Sequence, residues 1–336
     1  MSKVRYGVIG LGMGKAHISG MREIMRAELT AVCDINEGRL ADCLKSYPGV
    51  AGYTDYKALL ERDDVDAVVV ATPDQLHREM TVAALGAGKH VLCEKPMALT
   101  LEDCQAMINA SRNTDRKLMI GQICRFTPGF MRAKQLIDNG EIGELFFVES
   151  EYAHDYSKIP GKFSNWRLDP LRHGFLGGGC HAVDLVRWIA GNPYEVAAFA
   201  NKKMLNDWPT DDCTIAIMKF PNDVIGKVFV SIGCKRNYTM RSVFYGSKGT
   251  IIVDNTNPTM KVFKTESDCG FTVPMLYPIS LNNHNTAGEI AALTDAILND
   301  SPLEMDAIEG ASTVKAALAA VESSKTGRIV KVDYDF

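Results

Sequence analysis

A chain of 336 residues with 46% hydrophobic and 23% charged side chains carries enough apolar material for two packed domains, so disorder is excluded as its default state. The net charge of −4 argues against a surface dedicated to nucleic acid or anionic lipid, and no apolar run is long enough to cross a bilayer. The nine cysteines are odd in number and include no C-x-x-C pair, so they read as small buried thiols of a reducing cytosol. The start, MSKVRYGVIG, lacks a signal-peptide core and runs straight into a strand, which makes the cytoplasm the expected location.

The first third alternates between strands and helices. Strands are expected at Val4–Gly10, Glu28–Cys33, Ala67–Ala71, His90–Cys93 and Lys117–Gly121, with helices at Lys15–Arg26, Glu37–Ser46, Tyr56–Arg62, Gln75–Ala87 and Leu101–Asn113. Near-continuous apolar strands between helices imply a parallel sheet covered on both faces. After a helix at Pro128–Asn139 the rhythm changes. Strands are expected at Leu145–Ala153, Glu195–Asn201, Cys213–Phe220, Val224–Ile232, Met240–Tyr245 and Thr250–Asp254, punctuated by PND at 221–223 and GSKG at 246–249. Short turns between successive strands suggest a largely antiparallel sheet. Helices at Ala182–Ala190, Thr286–Asn299 and Ile308–Ser324 complete an α/β domain over 1–122 followed by an α+β domain over 123–336.

VIGLGMGKAH (8–17) places Gly10, Gly12 and Gly14 between the first strand and the first helix. A backbone that must turn tightly and approach a pyrophosphate at a helix N-terminus needs glycine there. The second strand ends in Asp34, where an acid accepts hydrogen bonds from ribose hydroxyls and repels a 2′-phosphate. That favours NAD; Arg39, about a turn further on, is a phosphate-binding side chain that keeps NADP as the alternative. Ligands of such sheets bind beyond the carboxyl ends of the strands. Thr72 and Pro73 end one strand, and Glu94 and Lys95 end the next in VLCEKP, so all four line the crevice. Lys95 is then expected near the nicotinamide. A residue before proline is held extended, and the Lys95–Pro96 bond is a candidate for the cis form.

The ordered set ATPDQLH (71–77), EKP (94–96), RFTP (125–128), WR (166–167), GGGCHAVD (177–184) and GSKGT (246–250) resembles the glucose–fructose oxidoreductase, inositol dehydrogenase and rhizopine-catabolism family (Gfo/Idh/MocA) over nearly the whole chain. The resemblance implies a Rossmann domain with a doubly wound parallel sheet, plus an α+β domain whose open sheet mediates a homodimer or homotetramer. It implies reversible hydride transfer between NAD(P) and a carbinol of a sugar, cyclitol or related polyol, with Lys95 and His181 as catalytic residues. The cofactor set it implies is Gly10, Gly12, Met13, Gly14, Asp34, Arg39, Thr72, Pro73, His77, Glu94, Lys95, Gln122, Trp166 and Arg167.

The family motif carries an aspartate four residues before the histidine, and this chain has Gly177 there; His173, Asp169 and Asp184 are the candidates to replace it. Gly177–Gly179 reads as a flexible loop that leaves room for substrate. His154, Tyr156 and His284 are candidate substrate contacts. His17 reads as a packing or helix-surface residue and His90 as a surface residue. The pair His181 and Asp184 lacks further ligands, so no metal is expected. Two rival readings stay open: a glycosidase that oxidises its sugar transiently with bound NAD, and a nicotinamide-binding regulator without catalysis.

Overall fold

The structure is a computed structural model that describes residues 2–159, 165–264, 273–281 and 284–336. The chain divides into two compact units: residues 1–123 with 285–311 and 336, and residues 124–284 with 312–335.

The first unit runs β1 (Val4–Ile9), α1 (Gly14–Met21), β2 (Ala27–Cys33), α2 (Glu37–Ser46), β3 (Ala51–Tyr53), α3 (Tyr56–Leu60), β4 (Ala67–Val70), α4 (His77–Gly86), β5 (His90–Glu94), α5 (Leu101–Arg112) and β6 (Leu118–Gly121). Its six strands pair in parallel in the order β3-β2-β1-β4-β5-β6. The order reverses between β1 and β4, so the carboxyl ends of the strands flank a switch-point crevice. Val68, Val69, Val70, Val91, Leu92 and Cys93 are wholly buried, as a sheet covered on both faces requires. Side chains open the helices where the sequence offers caps: Asn36 accepts from the Arg39 N–H, and Thr100 from the Asp103 N–H.

Residues 285–311 return to this unit. Their helix Thr286–Asn299 lies on α1 closely enough that a Cβ on Gly20 would come within 2.7 Å of the Ala287 nitrogen. The Tyr6 hydroxyl meets Thr294 Oγ1 at 2.8 Å. His90 departs from its expected surface position. It is 8% exposed, its Nδ1 accepts the Lys117 N–H at 3.0 Å, and burial beside Arg116 pulls its pKa down to about 4. Its place at the start of β5, paired to Ala67 of β4, puts it between strands rather than on the rim.

The second unit contains α6 (Pro128–Asp138), β7 (Leu145–Ala153), α7 (Gly174–Gly177), α8 (Cys180–Ala190), β8 (Glu195–Asn201), β9 (Cys213–Lys219), β10 (Ile225–Ser231), β11 (Thr239–Gly246), β12 (Gly249–Asp254), β13 (Thr259–Lys264), β14 (Met275–Pro278) and β15 (Val330–Lys331). Nine strands form one sheet in the order β14-β13-β12-β11-β7-β10-β9-β8-β15. The β7–β10 pair is parallel and the rest are antiparallel, so the sheet is mixed but mostly antiparallel. The PND turn links β9 to β10 with Asn222 and Asp223 in left-handed conformations, which their short polar side chains tolerate. GSKG closes the β11–β12 hairpin through the Gly246–Gly249 pair.

One face of the sheet, with Val148, Tyr152, Val228 and Val230 on the strands that meet α8 and Ala216 beside them on β9, is buried. The opposite face exposes Phe199, Ile215, Ile217 and Ile225. Among the described residues no helix is long and apolar enough to cross a membrane.

Candidate functional site

In the first unit, the carboxyl ends of β1, β2, β4, β5 and β6 bring Gly10, Asp34, Thr72, Glu94–Lys95 and Gln122 to one edge of the sheet. Gly10 has φ +91°, and a Cβ there would lie 2.5 Å from the Ala71 carbonyl oxygen, so no other residue fits the turn without strain. A Cβ on Gly14 would strike Val8 at 2.6 Å, whereas one on Gly12 would meet nothing nearer than Arg39 at 3.9 Å. Gly10 thus shapes the turn, Gly14 lets α1 seat on β1, and Gly12 keeps the loop's outer surface bare. Met13 caps α1 and is half exposed.

Asp34 is buried and pins the loop. Its Oδ2 accepts the Leu11 N–H and its Oδ1 the Asn36 N–H, both at 2.8 Å, and Arg39 lies 3.3 Å from Oδ1. Thr72 Oγ1 and both ends of the Gln122 amide are buried with no hydrogen-bond partner among the described residues. Buried polar atoms of this kind are uncommon in a finished interior. With the bare glycine loop and Asp34, they fit a dinucleotide laid along these strand ends. Gly10→Ala is expected to weaken NAD binding at least about tenfold and to cost about 1–3 kcal/mol of stability. Fluorescence titration with NADH and thermal melts check both numbers.

Lys95 stands on a closely braced base. The Lys95–Pro96 bond is cis. His77 is fully buried beneath it, with Nδ1 2.9 Å from the Pro96 carbonyl oxygen and Nε2 3.1 Å from that of Thr72. It therefore ties the ends of β4 and β5 together. Burial opposes its charge, but Cys93, Asp74 and the Pro96 carbonyl outweigh burial and lift its pKa to about 10. Pro73 caps the turn that leads into it.

Glu94 turns inward. Its Oε2 accepts the Lys95 N–H at 3.1 Å, and its Oε1 lies 2.8 Å from His17 Nε2. Burial works against the carboxylate, yet the His17 hydrogen bond and the charges of His17 and Lys95 hold it down at about 2. Burial likewise opposes a cationic His17, and the Glu94 bond overrides it, so its pKa is raised. On the other side of the ring, Glu289 Oε2 lies 3.9 Å from His17 Nδ1. Glu289 is completely buried, neither carboxylate oxygen has a hydrogen-bond partner among the described residues, and burial next to Glu94 pushes its pKa up to about 8. His17 and Glu289 are the members of this cluster that sequence reasoning missed. His17 follows Gly14 by three residues and so faces the strand ends, a usable signal; Glu289 reads as an ordinary acid in the first turn of its helix.

In the second unit, His181 lies in the first turn of α8, 3% exposed. Its ring stacks near Tyr152 (6.1 Å between centroids) and His284 (6.5 Å). Tyr238 packs on Tyr152, His154 and His284, and the Tyr152 hydroxyl lies 3.2 Å from both His154 Nδ1 and the Tyr156 hydroxyl. Burial lifts the Tyr152 and Tyr238 phenols well above their ordinary range, so they stay neutral donors and acceptors. His154, Tyr156, His181 and His284 thus share one aromatic, polar cluster.

Asp184 is committed elsewhere. Arg125 grips it with two hydrogen bonds of 2.8 and 2.7 Å, and Thr313 donates to its Oδ1 at 3.0 Å. His173 caps α7, its Nδ1 accepting the Phe175 N–H at 3.1 Å, with Asp211 3.4 Å from Nε2. Asp169 takes the Leu171 N–H. Trp166 carries Arg167 at 4.1 Å and Arg172 at 5.0 Å from its ring centroid. The glycine run does not form the open loop expected of it. Gly177 ends α7, Gly179 caps α8, and all three positions are filled by neighbours: Arg172 at Gly177, Tyr152 and Tyr156 at Gly178, Phe175 and Val230 at Gly179. Part of the loop expected at the site mouth, 160–164, lies outside the described residues.

Residues 4–122 match the model of the oxidoreductase family with an NAD-binding Rossmann fold, and residues 130–252 match the GFO/IDH/MocA C-terminal domain. The chain is 28% identical to myo-inositol 2-dehydrogenase of Thermotoga maritima, over 98% of this chain and 99% of that protein. It is 30% identical to inositol 2-dehydrogenase of Salmonella paratyphi B, over 73% of this chain and 72% of that protein. Levoglucosan dehydrogenase, solved with NADH, superposes with a TM-score of 0.91 at 23% identity, covering 99% of this chain and all of that one, a likeness of fold.

Proposed function

We propose a mechanism from one premise: the chain belongs to the Gfo/Idh/MocA oxidoreductase family, and it is an NAD-dependent dehydrogenase acting on CH–OH groups of a sugar, cyclitol or related polyol. The observation that carries the reading is the single sheet edge of the first unit, where Gly10, Asp34, Thr72, Lys95 and Gln122 come together on a switch-point crevice. Neither transient oxidation for glycoside cleavage nor loss of catalysis is favoured by the relatives.

The residues that would hold the dinucleotide are the Gly10–Gly14 loop, Asp34, Thr72 and Gln122. When bound, NAD supplies the hydride acceptor. Lys95 Nζ is the fixed cation that stabilises negative charge developing on the carbinol oxygen. The His181 imidazole takes the hydroxyl proton, a role suited to a group whose ordinary pKa lies near neutrality. The phenols of Tyr152 and Tyr156, with His154 and His284, bind and orient the other hydroxyls. Glu94, held by His17, keeps the base of Lys95 rigid from below.

The exposed apolar face of the second unit's sheet supports self-association through Phe199, Ile215, Ile217 and Ile225. The eight described cysteines are free, six of them buried, which fits a reducing compartment such as the cytoplasm. The test is a panel of sugars, cyclitols and sugar acids incubated with NAD and followed at once for NADH and for aglycone release. NADH formation with at least one polyol is expected. Glycoside cleavage without net NADH, or tight NAD binding with neither activity, would overturn the reading.

A further inference from the structure

We infer that Glu289 is a positioning residue for hydride transfer: it sets the local charge against which the Lys95 ammonium acts. The inference rests on the dehydrogenase reading and adds to it a group that works through Lys95. Glu289 comes from the helix Thr286–Asn299, which lies on α1. Its carboxyl reaches the carboxyl ends of β5 and β6. A Cβ on Gly121 would lie 3.3 Å from the Glu289 Oε1, 3.4 Å from the Cys93 carbonyl oxygen and 3.6 Å from the Glu94 Cα. Gly121 pairs with Glu94, the residue before Lys95. The carboxyl therefore crowds the space that a side chain at 121 would need, on the strand pair that leads into Lys95.

What surrounds the carboxyl decides its charge. It is completely buried, and neither oxygen has a hydrogen-bond partner among the described residues. Three charged groups face it: His17 from α1, with Nδ1 3.9 Å from Oε2 and so beyond hydrogen-bond reach, and Glu94 and Lys95 from the end of β5. From β6 it meets Gly121. His17 Nε2 is committed to Glu94 Oε1 at 2.8 Å, and Glu94 also takes the Lys95 N–H. A buried carboxylate without donors is unfavourable, so the neutral acid is the stable form at pH 7. Burial, with the Glu94 charge, lifts its pKa to about 8 against the pull of His17 and Lys95. While the acid is neutral, the charges of His17 and Glu94 offset each other beside Lys95. Ionised Glu289 adds one negative charge, and the lysine is near enough to pull down the pKa of both Glu94 and Glu289. An alkoxide developing at Lys95 then meets a weaker positive field, and turnover falls.

The experiment follows kcat with NAD and the best polyol of the panel from about pH 6 to about pH 9, in wild type, Glu289→Gln and Glu289→Met. The ratio of each variant's kcat to that of wild type cancels the titration of other groups to first order. It should rise about fivefold across this range, with its midpoint near pH 8. A glutamate that only packs would give a ratio that does not change with pH. Carbon-13 NMR of protein labelled at its glutamate carboxyls reads the proton directly and needs no change at Glu289. One carboxyl should titrate near pH 8, and in Lys95→Met it should titrate about one pH unit higher, because the cation that favours the carboxylate is gone. A pH-independent ratio in variants that turn over overturns the assignment and leaves the dehydrogenase intact. So does the lack of any glutamate titrating above about pH 7, or a titration that Lys95→Met does not move. If neither Glu289 variant folds, the Lys95-dependent titration decides. Failure of every polyol to reduce NAD removes the dehydrogenase reading, and this role with it.

Discussion

Replacing Lys95 by methionine is expected to lower kcat about a thousandfold while the protein still folds cooperatively and binds NADH. Methionine keeps the unbranched stem and removes the charge. Bonds that hold this stretch of chain and do not use Nζ include that of the Lys95 N–H to Glu94 and those of His77 to Thr72 and Pro96. They survive the substitution. What is lost is a preorganised cation at the oxygen that becomes negatively charged, an effect worth about 10²–10³ in rate at comparable sites. Because the stabilisation of the carbinol oxygen is realised only as the transition state forms, kcat and kcat/KM should fall together. Steady-state kinetics with NADH titration reads both. Turnover within about tenfold of wild type would remove Lys95 from the chemistry, leaving it as a residue that only braces the strand end.

The parts of this site legible in the sequence are those fixed by local chain geometry. A tight turn after an apolar strand demands Gly10, and an acid at the next strand end is seen at Asp34. Charged residues after the apolar run His90–Cys93 have to leave the sheet on its carboxyl side. The strands β3 and β14 escaped because they are brief, three and four residues long. Other features depend on contacts between distant segments. Glu289 lies 272 positions from His17, and helix periodicity shows that it sits in a helix, not that the helix seats on α1. The meaning of Gly177 was hidden for a related reason. The sequence shows a missing aspartate, and only the path of a side chain five residues earlier shows what stands in its place. His90 was misplaced because a histidine opening a strand reads as a surface residue until its pairing partners are known.

The buried Glu289 makes folding stability depend on pH in a direction opposite to that of most carboxylates. Its pKa is raised by burial to about 8, against an ordinary 4.5. Below pH 4.5 the group is protonated whether the chain is folded or not. Between 4.5 and 8 the unfolded chain releases a proton that the folded chain retains, so its contribution declines as pH rises and levels off above 8. At about 1.4 kcal/mol per pKa unit, the loss across this window is on the order of 5 kcal/mol.

Glu94, with its pKa held down at about 2, works the other way, contributing above its ordinary range and losing that contribution only in acid. A cationic His17 contributes below its ordinary pKa of 6.5, and that part fades as pH rises through its raised folded value. Comparing Glu289→Gln with wild type cancels both to first order. The variant should therefore match wild type near pH 5 and exceed it by several degrees of melting temperature at pH 9. Thermal melts of both proteins in steps across that range measure it. A constant offset at every pH would mean that Glu289 is ionised throughout, and that the charge beside His17 and Lys95 is one unit more negative than a protonated carboxyl allows.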